Sequence, residues 1–282
     1  MNRILKLWQP AMLAVFALAF NACTDEYEYT PQPDADYEGA YILADETTLI
    51  LGEDDAQQLS FTVARHDSTE AASYKLYTTN SSVNVPTEVN FAANEGTKKF
   101  TIDFDLPIGT IEEGVTIGVE EGDTYMYGAH SQTYTISRCK KIPGQTIMAS
   151  YFLSDGQGGP GTWLLDIYEY GTLTDEETGV KTARYLLKEP FAVMEQVGQG
   201  YGTGYNVIFS LDSNGNATTA EQGLYYDTYN GGEVVVSGNG TYYSNNNAIV
   251  FIWTLNIPSL GGGFGQIEHD IYFPTGYNPI PQ

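Results

Sequence analysis

The 282-residue sequence has little of what enzymes and nucleic-acid binders commonly use. It carries 12 lysines and arginines against 36 acids, a net charge of −24. Nucleic-acid affinity comes mainly from Lys and Arg displacing counterions, so this balance argues against nucleic acid as a partner. Cysteine occurs only at Cys23 and Cys139. The fold therefore has no disulfide framework and must rest on its hydrophobic core. The three histidines, His66, His130 and His269, are scattered, and none stands at metal-ligand spacing to another histidine or to a cysteine. A G-x-S-x-G nucleophile elbow, an H-E-x-x-H motif and a phosphate-binding glycine loop are all absent. No catalytic residue, resident metal or cofactor is expected on these grounds. No apolar run reaches the roughly 20 residues needed to span a bilayer.

What is present starts at the N-terminus. Arg3 and Lys6 precede an apolar run from Ala11 to Phe20, closed by Gln9 and Pro10 on one side and Asn21 on the other. This is signal-peptide grammar. Ala22 directly before Cys23 resembles the lipobox of bacterial lipoproteins. The resemblance implies that residues 1–22 are removed, that Cys23 is acylated, and that the acyl chains hold the protein on the outer membrane. Residues 23–38 then form a tether, since Thr24 to Glu38 contains six acids, two prolines and no base. Its cluster Asp25-Glu26-Tyr27-Glu28 resembles the surface-export signal of Bacteroidetes lipoproteins, which implies a position facing the cell exterior.

Residues 39–141 read as short strands with one buried face. Leu59, Phe61 and Val63 alternate with polar or small neighbours, as do Phe100, Ile102 and Phe104, then Val115, Ile117 and Val119, then Tyr134 and Ile136. Turn chemistry separates them at Leu51-Gly52-Glu53-Asp54-Asp55, Asn94-Glu95-Gly96 and Glu121-Gly122-Asp123. About seven strands in one hundred residues predict an immunoglobulin-like sandwich. Three segments carry a resemblance to a family: Phe61-Thr62-Val63-Ala64-Arg65, Val89 to Gly96 leading into Lys99-Phe100-Thr101-Ile102, and Glu113 to Val119. Together they resemble the Calx-beta repeat and the similar N-terminal modules of Bacteroidetes surface lipoproteins. Some Calx-beta repeats bind calcium through acids at one end of the sandwich. Here only Asp105, Glu112 and Glu113 match, too few for an ion that takes six to eight oxygens.

Cys139 to Gly144 reads as a joint between independently folding halves. Residues 145–282 hold 21 of the 30 glycines and 13 of the 22 tyrosines, with Lys181, Arg184 and Lys188 as the only bases. Strands are expected at Thr146–Phe152, Trp163–Tyr170, Ala183–Lys188, Asn206–Leu211, Glu233–Ser237, Ala248–Ile257 and Gln266–Phe273. Hairpin signals lie at Asn214-Gly215 and Asn230-Gly231-Gly232, and a short helical turn is expected near Phe191 to Val197. This half is predicted to be a second antiparallel sandwich or a barrel-like domain. Ile249, Phe251, Trp253 and Leu255 alternate with Val250 and Ile252, so the strand is apolar on both faces, internal to its sheet, with Trp253 in the core. The ending Gly261-Gly262-Gly263-Phe264-Gly265, Glu268 and Phe273-Pro274 resembles the C-terminal domains of Bacteroidetes surface lipoproteins found beside glycan-uptake genes.

Trp163, which opens a strand after the glycine-rich segment 156–161, is the first candidate ligand platform. Tyr168 on the same strand and Tyr225, Tyr226, Tyr229, Tyr242 and Tyr243 around the second hairpin complete the candidate binding set, since tyrosine supplies contact area and a hydroxyl at low entropic cost. The reading that fits these residues is a non-catalytic binding lipoprotein whose expected partner is a neutral glycan. Two alternatives stand beside it. One is a structural or adhesive protein that meets a surface protein. The other is a glycoside hydrolase using two of Asp155, Asp166, Glu169, Glu268 and Asp270. The anchor has a direct test: cells should incorporate palmitate into the protein in a globomycin-sensitive way, and Cys23→Ala should abolish the label.

Overall fold

The computed structural model describes residues 39–282 apart from 45, 155 and 197–201. Cys23, the tether, Asp155 and Val197 lie outside the described residues. The chain is all-β. One sheet contains β1 (Ala40–Leu43), β3 (Gln58–Arg65) and β6 (Thr97–Asp103), in the order β1-β3-β6. The other contains β2 (Thr48–Leu51), β4 (Ala72–Thr78), β5 (Glu88–Phe91), β7 (Glu113–Val119) and β8 (Ser131–Arg138), in the order β2-β8-β7-β4-β5. Strand β2 runs parallel to β8, and the other pairings are antiparallel. The alternation in the sequence is the inner face of this sandwich: Leu59, Phe61 and Val63 from one sheet meet Val115, Ile117, Val119, Tyr134 and Ile136 from the other, all buried. Phe100 is only half-buried and stacks on Phe61 with ring centroids 5.2 Å apart. Arg65 is buried because its guanidinium is spoken for. It donates to the carbonyls of Glu95 and Ala92, each at 2.8 Å, and lies over the Phe91 ring. That clasp fixes the Asn94-Glu95-Gly96 turn, where Asn94 takes a left-handed conformation with φ of 66°.

The second half is a barrel. After the two-residue β9 (Lys140–Lys141) come β10 (Thr146–Ser154), β11 (Pro160–Leu165), β12 (Ile167–Thr174), β13 (Lys181–Leu187), β14 (Val207–Asp212), β15 (Asn216–Asp227), β16 (Gly232–Tyr243), β17 (Ala248–Ile257) and β18 (Gly262–Tyr272). These ten strands form one sheet. Strands β12 to β18 form a meander, each antiparallel to the next, and β18 returns to pair with β10. Strands β11 and β12 are a single run interrupted at Asp166, the first half pairing with β10 and the second with β13. Counting that run as one strand and setting β9 aside, the sheet is an up-and-down ring of eight. Ring closure leaves no long free edge to manage.

The interior is filled by inward-facing side chains, among them Tyr185, Phe209, Leu224, Val234, Phe251, Trp253, Leu255 and Ile271, all buried. Trp253 donates its indole N–H to Thr219 at 3.0 Å. Ile249, Phe251, Trp253 and Leu255 form the core face of β17, while Ile252 on its outer face is 42 % exposed, so that face is barrel wall and not a second core. The residues Asn216–Asp227 form a 12-residue strand that alternation does not reveal. Its register shifts between Thr219 and Gln222 and again between Gly223 and Tyr225, and each bulge resets which residues face inward.

The joint is not a free linker. The described residues from Gly39 onward form one compact unit, and the two halves share an apolar cluster of Cys139, Tyr168, Tyr170 and Leu186, joined by Ile50, Ile111 and Ile208. A Cβ added at Gly52 would meet the Tyr168 ring at 2.7 Å. Ion pairs ring this contact: Lys188 with Asp55 at 2.6 Å, Lys141 with Asp166 at 2.7 Å and Arg184 with Glu112 at 2.9 Å. Strand β9 pairs with β12, and the Ile142 N–H donates to the Ile167 carbonyl. The expectation of independently folding halves thus meets a shared core. Tyr168→Ala should lower the unfolding free energy by about 3–5 kcal/mol, as large-to-small core changes do, read by urea denaturation. A surface tyrosine would leave it unchanged.

Candidate functional site

The barrel has two ends. At one, here the mouth, lie the β10–β11 connection, the β13–β14 connection with its one-turn helix α1 (Val193–Gln196), and the β15–β16 and β17–β18 turns. At the other lie the β14–β15 and β16–β17 turns and the C-terminal tail. The mouth is stopped by Phe191 and Met194, both buried. On either side of this stopper is a shallow cleft, each within the size range of small-molecule sites.

The first cleft, of about 400 Å³, is lined by Trp163, Leu164, Leu165, Asp166, Lys188, Glu189, Ala192 and Val193. It exists because β11 pairs with β10 on one side only. Strand β13 ends at Leu187, and the irregular residues 188–192 take its place beside β11. Trp163 is half-buried. Its indole N–H donates to the Pro190 carbonyl at 2.9 Å, and Phe191 meets it edge-on at 5.8 Å. The ring is therefore held in place at the cleft wall.

The second cleft, of about 310 Å³, is lined by Phe152, Met194, Tyr225, Asp227, Tyr229, Asn230 and Phe264. Its base is a chain of rings: Phe191 to Tyr225 at 5.9 Å, Tyr225 to Phe152 at 6.4 Å and Phe152 to Phe264 at 5.1 Å. Asp227 stiffens the adjoining turn by accepting from the Tyr229 and Asn230 backbone N–H groups and from the Asn230 amide. Burial alone would raise its carboxyl, but the Asn230 and Tyr229 donors outweigh that and hold it below the usual range. Tyr229 stands at the tip, 91 % exposed.

The candidate tyrosines thus do not form one surface. Tyr229 and the exposed Tyr226 are at the mouth, but Tyr225 faces inward and is buried as the second cleft's floor. Tyr168 lies under the sandwich, where burial pushes its hydroxyl up to about 12, helped by the nearby Asp166 charge. It is a packing residue and no platform. Tyr242 and the exposed Tyr243 lie at the far end of β16, nine or ten residues from Glu233, which pairs with Tyr226. At about 3.4 Å per residue that is roughly 30 Å away. Tyr242 there donates to the Asn247 side chain at 2.8 Å. Closeness in sequence misled because the two long strands of the hairpin carry the pairs to opposite ends.

Sequence reasoning missed Phe152, Phe191, Lys188, Glu189, Asp227 and Phe264 as site residues. Lys188-Glu189-Pro190-Phe191 carried a usable signal, a charge pair and a proline ending a strand before a large apolar residue. The carboxylates raised for hydrolysis are occupied differently. Asp166 pairs with Lys141, Glu169 accepts from the Tyr277 hydroxyl at 3.2 Å, and Asp270 accepts from the Tyr272 hydroxyl at 3.1 Å. Of the acids matched to calcium-binding repeats, Glu112 pairs with Arg184 and Glu113 accepts from Asn80.

No protein-family model matches the chain, and no curated protein matches it in sequence. Two solved structures of proteins of unknown function from Bacteroides ovatus are similar at a coarse level. They are 10 % and 9 % identical, with TM-scores of 0.30 and 0.27. The overlaps cover 83 % and 86 % of this chain and 93 % and 97 % of theirs. Likeness this low carries no argument about this protein.

Below the stopper, the barrel core contains polar side chains. His269 on β18 is fully buried and packs on Trp253 at 4.7 Å and edge-on against Phe191 at 5.7 Å. Neither ring nitrogen has a hydrogen-bond partner, and the buried Thr146 hydroxyl is likewise unpaired. Each orphaned buried group costs about 1–3 kcal/mol. Burial pushes the imidazole down to about 3 from 6.5. The folded state therefore holds His269 neutral while the unfolded chain binds a proton below about 6.5. Its contribution is complete above that pH and is lost progressively as pH falls toward 3. His269→Leu should accordingly flatten the acid side of the stability profile between those values, measured by urea unfolding at several pH values against the wild type.

Proposed function

We propose that this chain is a lipid-anchored, surface-exposed, non-catalytic binding protein of the outer membrane whose barrel mouth takes an uncharged glycan. In this reading Cys23 carries the anchor, the acidic tether and the Calx-beta-like sandwich hold the barrel away from the membrane, and the mouth clefts meet the ligand. The observation that carries it is Trp163. Its indole is locked by Pro190 and Phe191 at the wall of an open cleft whose rim carries the polar side chains of Asp166, Lys188 and Glu189, the first two held in ion pairs and the third accepting from the Gly204 N–H. An immobilised ring beside polar hydrogen-bonding groups suits a sugar, which presents an apolar C–H face and a rim of hydroxyls. Tyr229 on the other side of α1 extends the aromatic surface.

Uncharged ligands fit because residues 145–282 hold only three bases, and Lys188 is already paired with Asp55. An anionic polymer would meet net repulsion. Titration of the mature chain against neutral β-glucan, mannan and xyloglucan, with heparin as the charged comparison, tests this. Binding to a neutral polymer should change little with salt. Trp163→Ala should weaken it by about 1–2 kcal/mol and the fully folded Tyr229→Ala by about 1 kcal/mol. Salt-sensitive binding of heparin with both variants fully active would overturn the ligand class and the site together.

A further inference from the structure

The chain enters the sandwich at a corner that carries an exposed aromatic cluster. Gly39, the first described residue, has a φ of 105° and no room for a side chain: a Cβ there would meet the Thr124 and Tyr125 backbone at 2.6 Å. The fully buried Ala40 donates its N–H to the Asp123 carbonyl and accepts from the Tyr125 N–H, and Ile42 donates to the Ala129 carbonyl. The start of β1 is thus fastened to the loop of residues 120–130 between β7 and β8. The tip of that loop presents Met126 and Tyr127, each more than half exposed. Tyr125 orders the cluster from below, with its ring 5.8 Å from Tyr127, 5.6 Å from Tyr41 and stacked on His66 at 5.5 Å. The Tyr41 ring in turn packs on Gly128, where a Cβ would meet it at 2.4 Å.

This corner lies at the end of the sandwich remote from the barrel. Strand β7 starts at Glu113, next to the Glu112–Arg184 ion pair, and β8 ends at Arg138, next to Cys139 in the shared core. Both strands meet the loop at their other ends, Val119 and Ser131, roughly 24 Å away at about 3.4 Å per residue. The chain that joins here brings a lipid surface within reach, since residues 23–38 extend at most about 55 Å from an acylated Cys23. We propose that the Met126 and Tyr127 tip rests in the headgroup layer of the membrane that holds the chain, which stands the sandwich on end with the barrel outward. This rests on the anchor reading of Cys23. Tyrosine suits that layer because its ring is apolar and its hydroxyl stays wet. Glu120, Glu121 and Asp123 precede the tip, so the contact is apolar and draws nothing from attraction to anionic lipid.

For the test, the mature chain is coupled through the Cys23 thiol to a maleimide lipid in phosphatidylcholine vesicles; Cys139 is buried and does not compete. The anchor is then supplied whether or not cells acylate Cys23. Tyrosine iodination by lactoperoxidase, an enzyme confined to water, is mapped by mass spectrometry, with the exposed Tyr229 at the barrel mouth as the reference within the same chain. Iodination of Tyr127 should fall severalfold on anchoring, while that of Tyr229 stays unchanged. The protection should persist when a glycine–serine segment doubles the length of the tether, and Met126→Asp should remove it from that longer form. Equal iodination of Tyr127 in the anchored and free chains would overturn the contact and leave the anchor reading standing. Protection that vanishes with the longer tether would also overturn it, as mere proximity to lipid. Protection of Tyr127 in the free chain that grows with protein concentration would assign the corner to a second copy instead. A chain that passes the vesicle test yet takes no palmitate in cells would sink the anchor reading alone and keep the corner as a lipid-binding surface.

Discussion

The architecture of the second half depends on how the chain changes partners at Asp166. Up to Leu165 the run pairs with β10, and from Ile167 it pairs with β13, so one residue closes the ring of strands. The carboxylate at that position is partly exposed, and Lys141 answers it at 2.7 Å from β9. The hydrogen bond to Asp166 is the main reason that the Lys141 ammonium is held above its usual range. An exposed pair of this kind contributes little stability by itself. Its structural consequence is larger: it draws the end of the sandwich into the barrel's sheet at the point where the ladder divides. The same division leaves β11 without a second strand neighbour and so produces the cleft in which Trp163 sits.

The contact between the halves follows from the barrel's outer face. Along β12 and β13 the residues that point away from the barrel core, Tyr168, Tyr170 and Leu186, are apolar and need a cover. The sandwich supplies it through Ile50, Ile111, Cys139 and the bare backbone of Gly52. Cys139 is consequently a small buried hydrophobe whose thiol burial pushes up to about 12, which removes it from thiolate chemistry. In a chain with so few bases, Lys141, Arg184 and Lys188 all serve this contact and not a surface patch. The acidic balance seen in the sequence is thus more one-sided on the solvent face than the composition suggests.

The mouth combines two kinds of order. Its aromatic floor is continuous from Trp163 through Phe191 to Tyr225, Phe152 and Phe264, which makes the stopper and the clefts one packed object. Its rim is set by short-range polar contacts, with Asp227 bracing its turn. Rings fixed in this way lose little conformational freedom on meeting a ligand, which favours recognition by shape. The orphaned His269 lies directly beneath Phe191, so the least satisfied polar group of the core and the proposed binding surface are separated by a single side chain.

Much of this was legible in the residues. Period-two alternation with turn chemistry gave the sandwich strands and their inner face, because each inward residue there is large and each turn is local. The two-faced apolar run around Trp253 marked an internal strand for the same reason. Other features were settled only by tertiary structure. Strand β15 was hidden because two bulges break its period and small residues such as Ala217 and Thr219 face inward against Trp253. The separation of Tyr226 and Tyr229 from Tyr242 and Tyr243 came from strand length, which no local pattern encodes. The fate of Tyr168 was decided by a surface more than one hundred residues earlier in the chain, at Gly52. Residue type fixed which side chains could serve a site or a core, whereas long-range packing chose between them, since burial depends on what arrives from elsewhere in the chain.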